Sequence, residues 1–264
     1  MTDARQPSVH ELMRLDGETA LILGASGGLG AVIAARLAEA GARVAAHGFS
    51  NAAGAEAAAR AAAERGVEAA PVIGNVADPD GAEAVFAACE DALGPASVLV
   101  NCAALQPVHP LTEMSFEDWT TVSRANLDGM FLATQTAARR AIDRGAACAI
   151  VNIASVEAFA PAVGHAHYCA SKAAMVMFTK SAAVEFGAHG VRVNAVAPGL
   201  IARDGLEEAW PDGVARWRAA APMGRMGQAL EVADAVLFLC APASRWVTGE
   251  TLIVDGGVAA SPTW

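Results

Sequence analysis

The sequence predicts an α/β protein with one seven-stranded, parallel, doubly wound sheet, and three observations carry that prediction. Seven short runs rich in valine and isoleucine alternate with longer alanine-rich segments of helical period. The first run ends in a glycine cluster, "LGASGGLG" at 23–30, from which a helical pattern starts directly. No linker, tandem repeat or domain boundary interrupts the 264 residues, of which 54% are hydrophobic, so a single domain over 1–264 with one large core is expected.

The strand candidates, in order, are "TALIL" (19–23), "ARVAAH" (42–47), "AAPVI" (69–73), "SVLVN" (97–101), "CAIVNI" (148–153), "VRVNAV" (191–196) and "TLIVD" (251–255). Strands separated by helices pair in parallel, with helices on both faces. Helix starts between them carry capping chemistry: Asp78 precedes Pro79, and Ser115 with Asp118 resembles a capping box. The alanine-rich stretch 52–63 reads as a helix because Glu56, Arg60 and Glu64, four apart, give it a solvated face. Residues 1–14 form a polar N-terminal extension. Residues 200–222, with Trp210 and Trp217 among many charges, depart from the alternation and read either as a substrate lid or as a loop-helix pair at a subunit contact.

Composition narrows the function. A net charge of -10 and a pI near 5.0 argue against nucleic acid and anionic membrane as partners, leaving a small-molecule substrate. The five cysteines are odd in number, form no C-x-x-C pair and sit mostly in apolar runs, as reduced core residues would. No signal core and no apolar run long enough to span a membrane is evident, so a cytoplasmic location is expected.

The glycine turn has the order a phosphate cradle needs. Gly24 permits a tight turn, Gly28 lets backbone approach a pyrophosphate, and Gly30 lets the next helix pack closely, its free N–H groups facing the phosphates. At the end of the second strand, where many NAD binders carry an acid for the adenosine ribose, "HGFSN" (47–51) offers no carboxylate. Ser50, Asn51 or a protonated His47 would accommodate a 2′-phosphate, although no arginine stands there to clamp it. The balance leans to NADP(H) over NAD(H).

Ser155 follows the fifth strand, and Tyr168 and Lys172 in "HYCASKAA" share a helical face four residues apart. They are drawn from scarce types: the chain has one tyrosine and, among 18 basic residues, two lysines. An ammonium beside a phenol is expected to favour phenolate and lower the tyrosine pKa, as an acid/base for alcohol and ketone requires.

With these residues in place, the sequence resembles a classical short-chain dehydrogenase/reductase from about residue 15 to 257. The G-x-x-x-G-x-G turn appears as Gly24, Gly28 and Gly30, an N-N-A-G segment as "NCAA" (101–104), the helix asparagine as Asn126, the fifth-strand serine as Ser155, Y-x-x-x-K as Tyr168 and Lys172, and N-x-x-x-P-G as "NAVAPG" (194–199). The resemblance implies a Rossmann fold assembling as a homotetramer. It implies that Ser155 binds the substrate oxygen, Tyr168 passes the proton, Lys172 holds the nicotinamide ribose and Asn126 completes a water-linked relay. Cofactor contacts are implied for Ser26 and Leu29 with the glycines, Ser50 and Asn51, Asn75 and Val76, Asn101 and Ala103, and Pro198, Gly199 and Ile201. Departures are Leu23 for a threonine, Cys102 and Ala104 in N-N-A-G, Asn75 for an aspartate, and Arg203 for a threonine, the last able to reach an anion or to idle in solvent.

Gln106, His109, Glu157, His165 and Trp210 are the candidate substrate-binding residues. "HAH" at 165–167 lacks acidic or cysteine partners at ligand spacing, so no metal is expected. Glu157, His109 and His165 suit a hydroxylated substrate such as a sugar, polyol or cyclic alcohol. A 3-oxoacyl thioester reductase acting on an acyl carrier protein is the rival enzyme reading, with Arg139 and Arg140 as its obvious basic pair, and a catalytically silent cofactor sensor is the third.

Overall fold

Each apolar run forms a strand, and the computed structural model, described over residues 7–260, joins all seven in one sheet. The strands are β1 (Thr19–Leu23), β2 (Arg43–Gly48), β3 (Ala69–Ile73), β4 (Val98–Asn101), β5 (Cys148–Ile153), β6 (Val191–Pro198) and β7 (Thr251–Val254). Every pairing is parallel, in the order β3-β2-β1-β4-β5-β6-β7. The order reverses between β1 and β4, and the crevice outside their carboxyl ends is where open sheets of this kind take ligands.

Nine α-helices lie among the described residues: α1 (Gly28–Glu39), α2 (Ala52–Ala63), α3 (Pro79–Leu93), α4 (Phe116–Ser123), α5 (Gly129–Asp143), α6 (Ala166–Phe186), α7 (Leu206–Ala209), α8 (Pro211–Ala220) and α9 (Ala229–Cys240). Strand alternation divides the core into two layers. Ala20 and Ile22 of β1 join Ile33 and Leu37 of α1 and Val232 and Val236 of α9 on one face. Leu21 and Leu23 join Val85 and Phe86 of α3, Ala137 of α5 and Ala182 of α6 on the other.

The caps act locally, as expected. The Asp78 carboxylate accepts from Gly81 N at 3.0 Å with Pro79 in the first turn, and Ser115 and Asp118 bond each other's backbone in a full capping box. Residues 1–6 of the expected extension lie outside the described residues. Its remainder forms a 3-10 turn at Glu11–Met13 and leads into buried Leu15, whose N–H donates to Ala40 O at 2.8 Å. Across 200–222, α7 and α8 are clasped by Arg218, which donates to both Glu207 carboxylate oxygens at 2.6 and 2.8 Å.

Candidate active site

The glycine turn between β1 and α1 is built by exclusion. Gly24 has φ 83°, and a Cβ there would meet Ala103 Cα and N, both at 2.7 Å. At Gly30 a Cβ would run into the Gly24 carbonyl, so this glycine closes the turn upon itself rather than easing helix against sheet. Gly28 has φ 53° and open space where its side chain would be. Helix α1 begins with no side-chain cap and no acidic residue in its first turn, leaving its N–H groups to an anion. The cradle therefore fits a dinucleotide pyrophosphate.

The end of β2 differs from expectation. His47 is buried, its Nε2 2.9 Å from Gly74 O and its Nδ1 accepting from Gly24 N at 3.3 Å. Burial pushes its pKa down, against the Gly74 hydrogen bond, so it is a neutral brace of the glycine turn and not a phosphate ligand. The Asn51 side chain is also engaged: its carbonyl caps α2 through Gly54 N at 2.9 Å, and its amide donates to Ser26 O at 2.9 Å. A Cβ at Gly48 would lie 2.8 Å from Asn51 O and 3.1 Å from Ser26 Cβ, so no carboxylate can stand there. Ser50 remains exposed beside Phe49, whose side chain is 64% exposed and which the sequence reading passed over. Farther along, Asn75 Oδ1 accepts from Ala77 N at 3.1 Å and Val76 is buried.

Ser155, Tyr168 and Lys172 converge beyond β5. Ser155 Oγ accepts from Glu157 N at 3.1 Å and is a hydrogen-bond partner of the Tyr168 phenol. Lys172 is 2% exposed, and its Nζ donates to Ile153 O at 2.6 Å and lies 5.5 Å from the centre of the Tyr168 ring. One carbonyl leaves two ammonium N–H groups, which fit a ribose diol. The expected depression of the tyrosine is reversed in this structure. Burial pushes the phenol up to about 12, the Ser155 hydrogen bond opposes this, and the nearby Glu157 charge adds to it. Burial likewise brings Lys172 down to about 8. Desolvation is the largest cause for both groups, and the ammonium does not bring the phenol down as expected.

Three asparagines hold this geometry. Asn101 donates to Asn152 Oδ1 at 2.7 Å and Thr134 Oγ1 at 3.1 Å, and Asn152 donates to Thr179 Oγ1 at 2.9 Å, a buried polar chain tying β4 to β5, α5 and α6. Asn126 sits in a π-helical turn at Arg124–Asp128 and takes both backbone groups of Leu105, at 2.7 and 2.9 Å, and Ser171 Oγ at 3.2 Å. Its amide therefore positions the segment after β4 and the start of α6. Neither the π turn nor this capture is visible in residue types near Asn126.

On the substrate side, Gln106, Glu157 and His165 come together. Gln106 Nε2 donates to Glu157 Oε1 at 2.9 Å, and His165 Nδ1 lies 2.8 Å from Oε2. Cys169 Sγ, which the sequence reading placed in the core, also donates to Oε2 at 3.4 Å. His109 stands apart, 3.8 Å from the Asp118 carboxylate and edge-on to buried His167. Trp210 is half exposed under the Arg216 guanidinium, away from the Glu157 group's hydrogen bonds. Instead Trp217 seats on Gly199, where a Cβ would meet its ring at 2.6 Å, and brings the 200–222 segment against the end of β6 at Pro198. Ile201 pairs with Gly227 beyond it, and Arg203 is exposed. Among the described residues no group of three histidine, cysteine or acidic side chains is arranged for a metal, and no helix is long and apolar enough to cross a membrane.

Known proteins are similar to this chain along nearly its whole length. A family model described as enoyl-(acyl carrier protein) reductase matches residues 24–259. The chain is 38% identical over 260 residues to a D-threitol dehydrogenase of Mycolicibacterium smegmatis, covering 97% of this chain and 98% of the relative. It is 40% identical over 260 residues to an L-tagatose-forming galactitol 2-dehydrogenase of Cereibacter sphaeroides, covering 93% and 96%. The crystal structure of a gluconate 5-dehydrogenase from Burkholderia cenocepacia, in complex with NADP and tartrate, superposes with a TM-score of 0.90 at 34% identity, covering 97% of this chain and 100% of that one. The glycine cradle, the Ser155–Tyr168–Lys172 group and these matches along nearly the whole chain make it a member of the classical short-chain dehydrogenase/reductase family, an NAD(P)-dependent oxidoreductase acting on CH–OH groups.

Proposed function

We propose that the protein interconverts a secondary alcohol of a polyol or sugar-like compound and the corresponding ketone. The observation that carries this is the Tyr168 phenol, held between Ser155 and buried Lys172 and bordered by the hydrogen-bonding set Gln106, Glu157 and His165. Bound NAD(P) supplies the hydride acceptor or donor. Tyr168 takes the hydroxyl proton as the alcohol becomes a ketone and returns it in reduction. Ser155 holds the substrate oxygen, and Lys172 offers its free N–H groups to the ribose. Asn126 keeps the Leu105 segment and α6 in register.

NADP(H) is favoured over NAD(H), because Gly48 excludes a carboxylate and exposed Ser50 offers a hydroxyl. With His47 neutral and Asn51 engaged, the preference is modest. A tenfold preference for NAD in parallel assays would remove it.

The acyl-carrier description of the matching family model favours a second reading, a 3-oxoacyl thioester reductase. Its basic pair is already occupied: Arg139 bonds Glu83, and Arg140 bonds Glu83 at 3.0 Å and Glu90 at 2.6 Å. The net charge of -10 also repels an acidic carrier. The test is a panel of polyols, sugars, cyclic alcohols and acetoacetyl thioesters. Tyr168→Phe is expected to lower kcat at least about a thousandfold while cofactor binding, read by nucleotide fluorescence, persists. Absence of turnover on every member would return the reading to a silent cofactor sensor.

A further inference from the structure

We propose that Gln106, Glu157 and His165 form a specificity site that admits uncharged polyols and rejects the corresponding sugar acids, an inference that rests on the polyol reading above. The three residues come from separate segments, after β4, after β5 and before α6, and converge on one carboxylate. The Glu157 N–H donates to Ser155 Oγ at 3.1 Å, so the same short turn carries the serine and the carboxylate. His165 stands edge-on to Tyr168, ring centres 6.1 Å apart. The site thus borders the reacting centre.

Its chemistry is acceptor-rich, with a carboxylate at its centre. The Glu157 side chain is 15% exposed and that of His165 16%, and among the described residues no lysine or arginine pairs with Glu157. Gln106, His165 and Cys169 use three of about four lone-pair directions on the carboxylate. The last direction, the Gln106 carbonyl and the second His165 nitrogen are left to meet hydroxyl groups. A polyol satisfies them with O–H donors. A sugar acid brings a second negative charge; at about 6 Å and an effective dielectric near 20, like charges disfavour binding roughly 100-fold. An alcohol without neighbouring hydroxyls leaves these polar groups unpaired.

The experiment measures kcat/KM of the full chain, with saturating cofactor, on xylitol and galactitol against xylonate and galactonate. Expected is a preference for the polyol of about 100-fold, reduced at least tenfold in Glu157→Gln, which keeps the shape and removes the charge. Wild-type protein that treats acid and polyol equally or prefers the acid, as it would if Arg203 clamped a carboxylate, overturns the inference but leaves the polyol reading standing. So does a Glu157→Gln variant that keeps the wild-type ratio. Turnover of acetoacetyl thioesters alone removes the underlying reading instead. If Glu157→Gln lacks a cooperative thermal transition, Gln106→Leu decides. A ratio of kcat/KM on polyols to kcat/KM on cyclohexanol lowered at least tenfold supports the site, and an unchanged ratio overturns it.

Discussion

Lys172 is a buried ammonium, and its burial comes at a cost in stability. Its shift from 10.5 to about 8 corresponds to at most roughly 3 kcal/mol of destabilisation at neutral pH. Between about pH 8 and 10.5 the unfolded chain holds a proton that the folded chain has released, so stability rises with pH across that window. Tyr168 acts oppositely: from pH 10 to about 12 the folded phenol keeps a proton the unfolded one loses, and stability falls. Lys172→Met is therefore expected to raise the melting temperature at pH 7 by a few degrees, to flatten the rise above pH 8, and to cut turnover at least about a hundredfold. Denaturant titrations of the cofactor-free protein at pH 7 and pH 9 check it; a variant less stable than wild type at pH 7 would show that the ammonium stabilises. The raised phenol also predicts that alcohol oxidation climbs with pH without a plateau below about pH 9. Because the Glu157 charge contributes to that rise, Glu157→Gln should move the profile to lower pH. The Tyr168 and Lys172 pair was legible in the sequence because its residue types and spacing are distinctive. The direction of its pKa shifts was not, because burial is decided by the packing of α6 on the sheet.

At the scale of elements, the glycine turn is held from outside as much as from within. Asn51 caps α2 and bonds Ser26 O, while His47 takes Gly24 N, so the second strand braces the loop that follows the first. Asn51→Ala is expected to lose about 1 kcal/mol from the cap and to raise the cofactor KM, since the turn loses its tie. Gly30→Ala should be far worse, because its Cβ collides with the Gly24 carbonyl. Gly27→Ala, extended and with open space around it, should leave stability unchanged. Thermal melts of Gly30→Ala and Gly27→Ala separate these outcomes; equal losses would refute the exclusion argument. The caps at Asp78 and Ser115 could be read from sequence because each bond spans three residues. The π turn at Asn126 could not, since its asparagine is captured by Leu105, 21 residues upstream. His47 misled for the same reason: its partners, Gly24 and Gly74, meet it only when three strands are side by side.

For the whole molecule, alternation of strand and helix was enough to give a single parallel, doubly wound sheet, because parallel crossovers leave few topologies; the strand order came from the structure. What alternation cannot show is which outer surfaces remain uncovered. Helix α6 buries one side on the sheet yet exposes Met177 and Val184, the latter 84% exposed, close to where Phe131 of α5 stacks edge-on against Phe178. A second uncovered region is the sheet edge, where β7 exposes Leu252 and Ile253 and its outer hydrogen-bonding side is unpaired in the sheet. Two separate apolar faces on one chain would suit the two kinds of two-fold contact in a dihedral tetramer, the assembly that the family resemblance implies and that we propose for this chain. Val184→Glu is expected to break one contact and Ile253→Lys the other, each giving dimers by light scattering, while the double variant gives monomers. The single-site chemistry should persist in the dimers, because Ser155, Tyr168 and Lys172 all come from one chain. A wild-type chain that runs as a monomer, or single variants that keep the tetramer's mass, would show that these faces stay in water and that the tetramer is wrong.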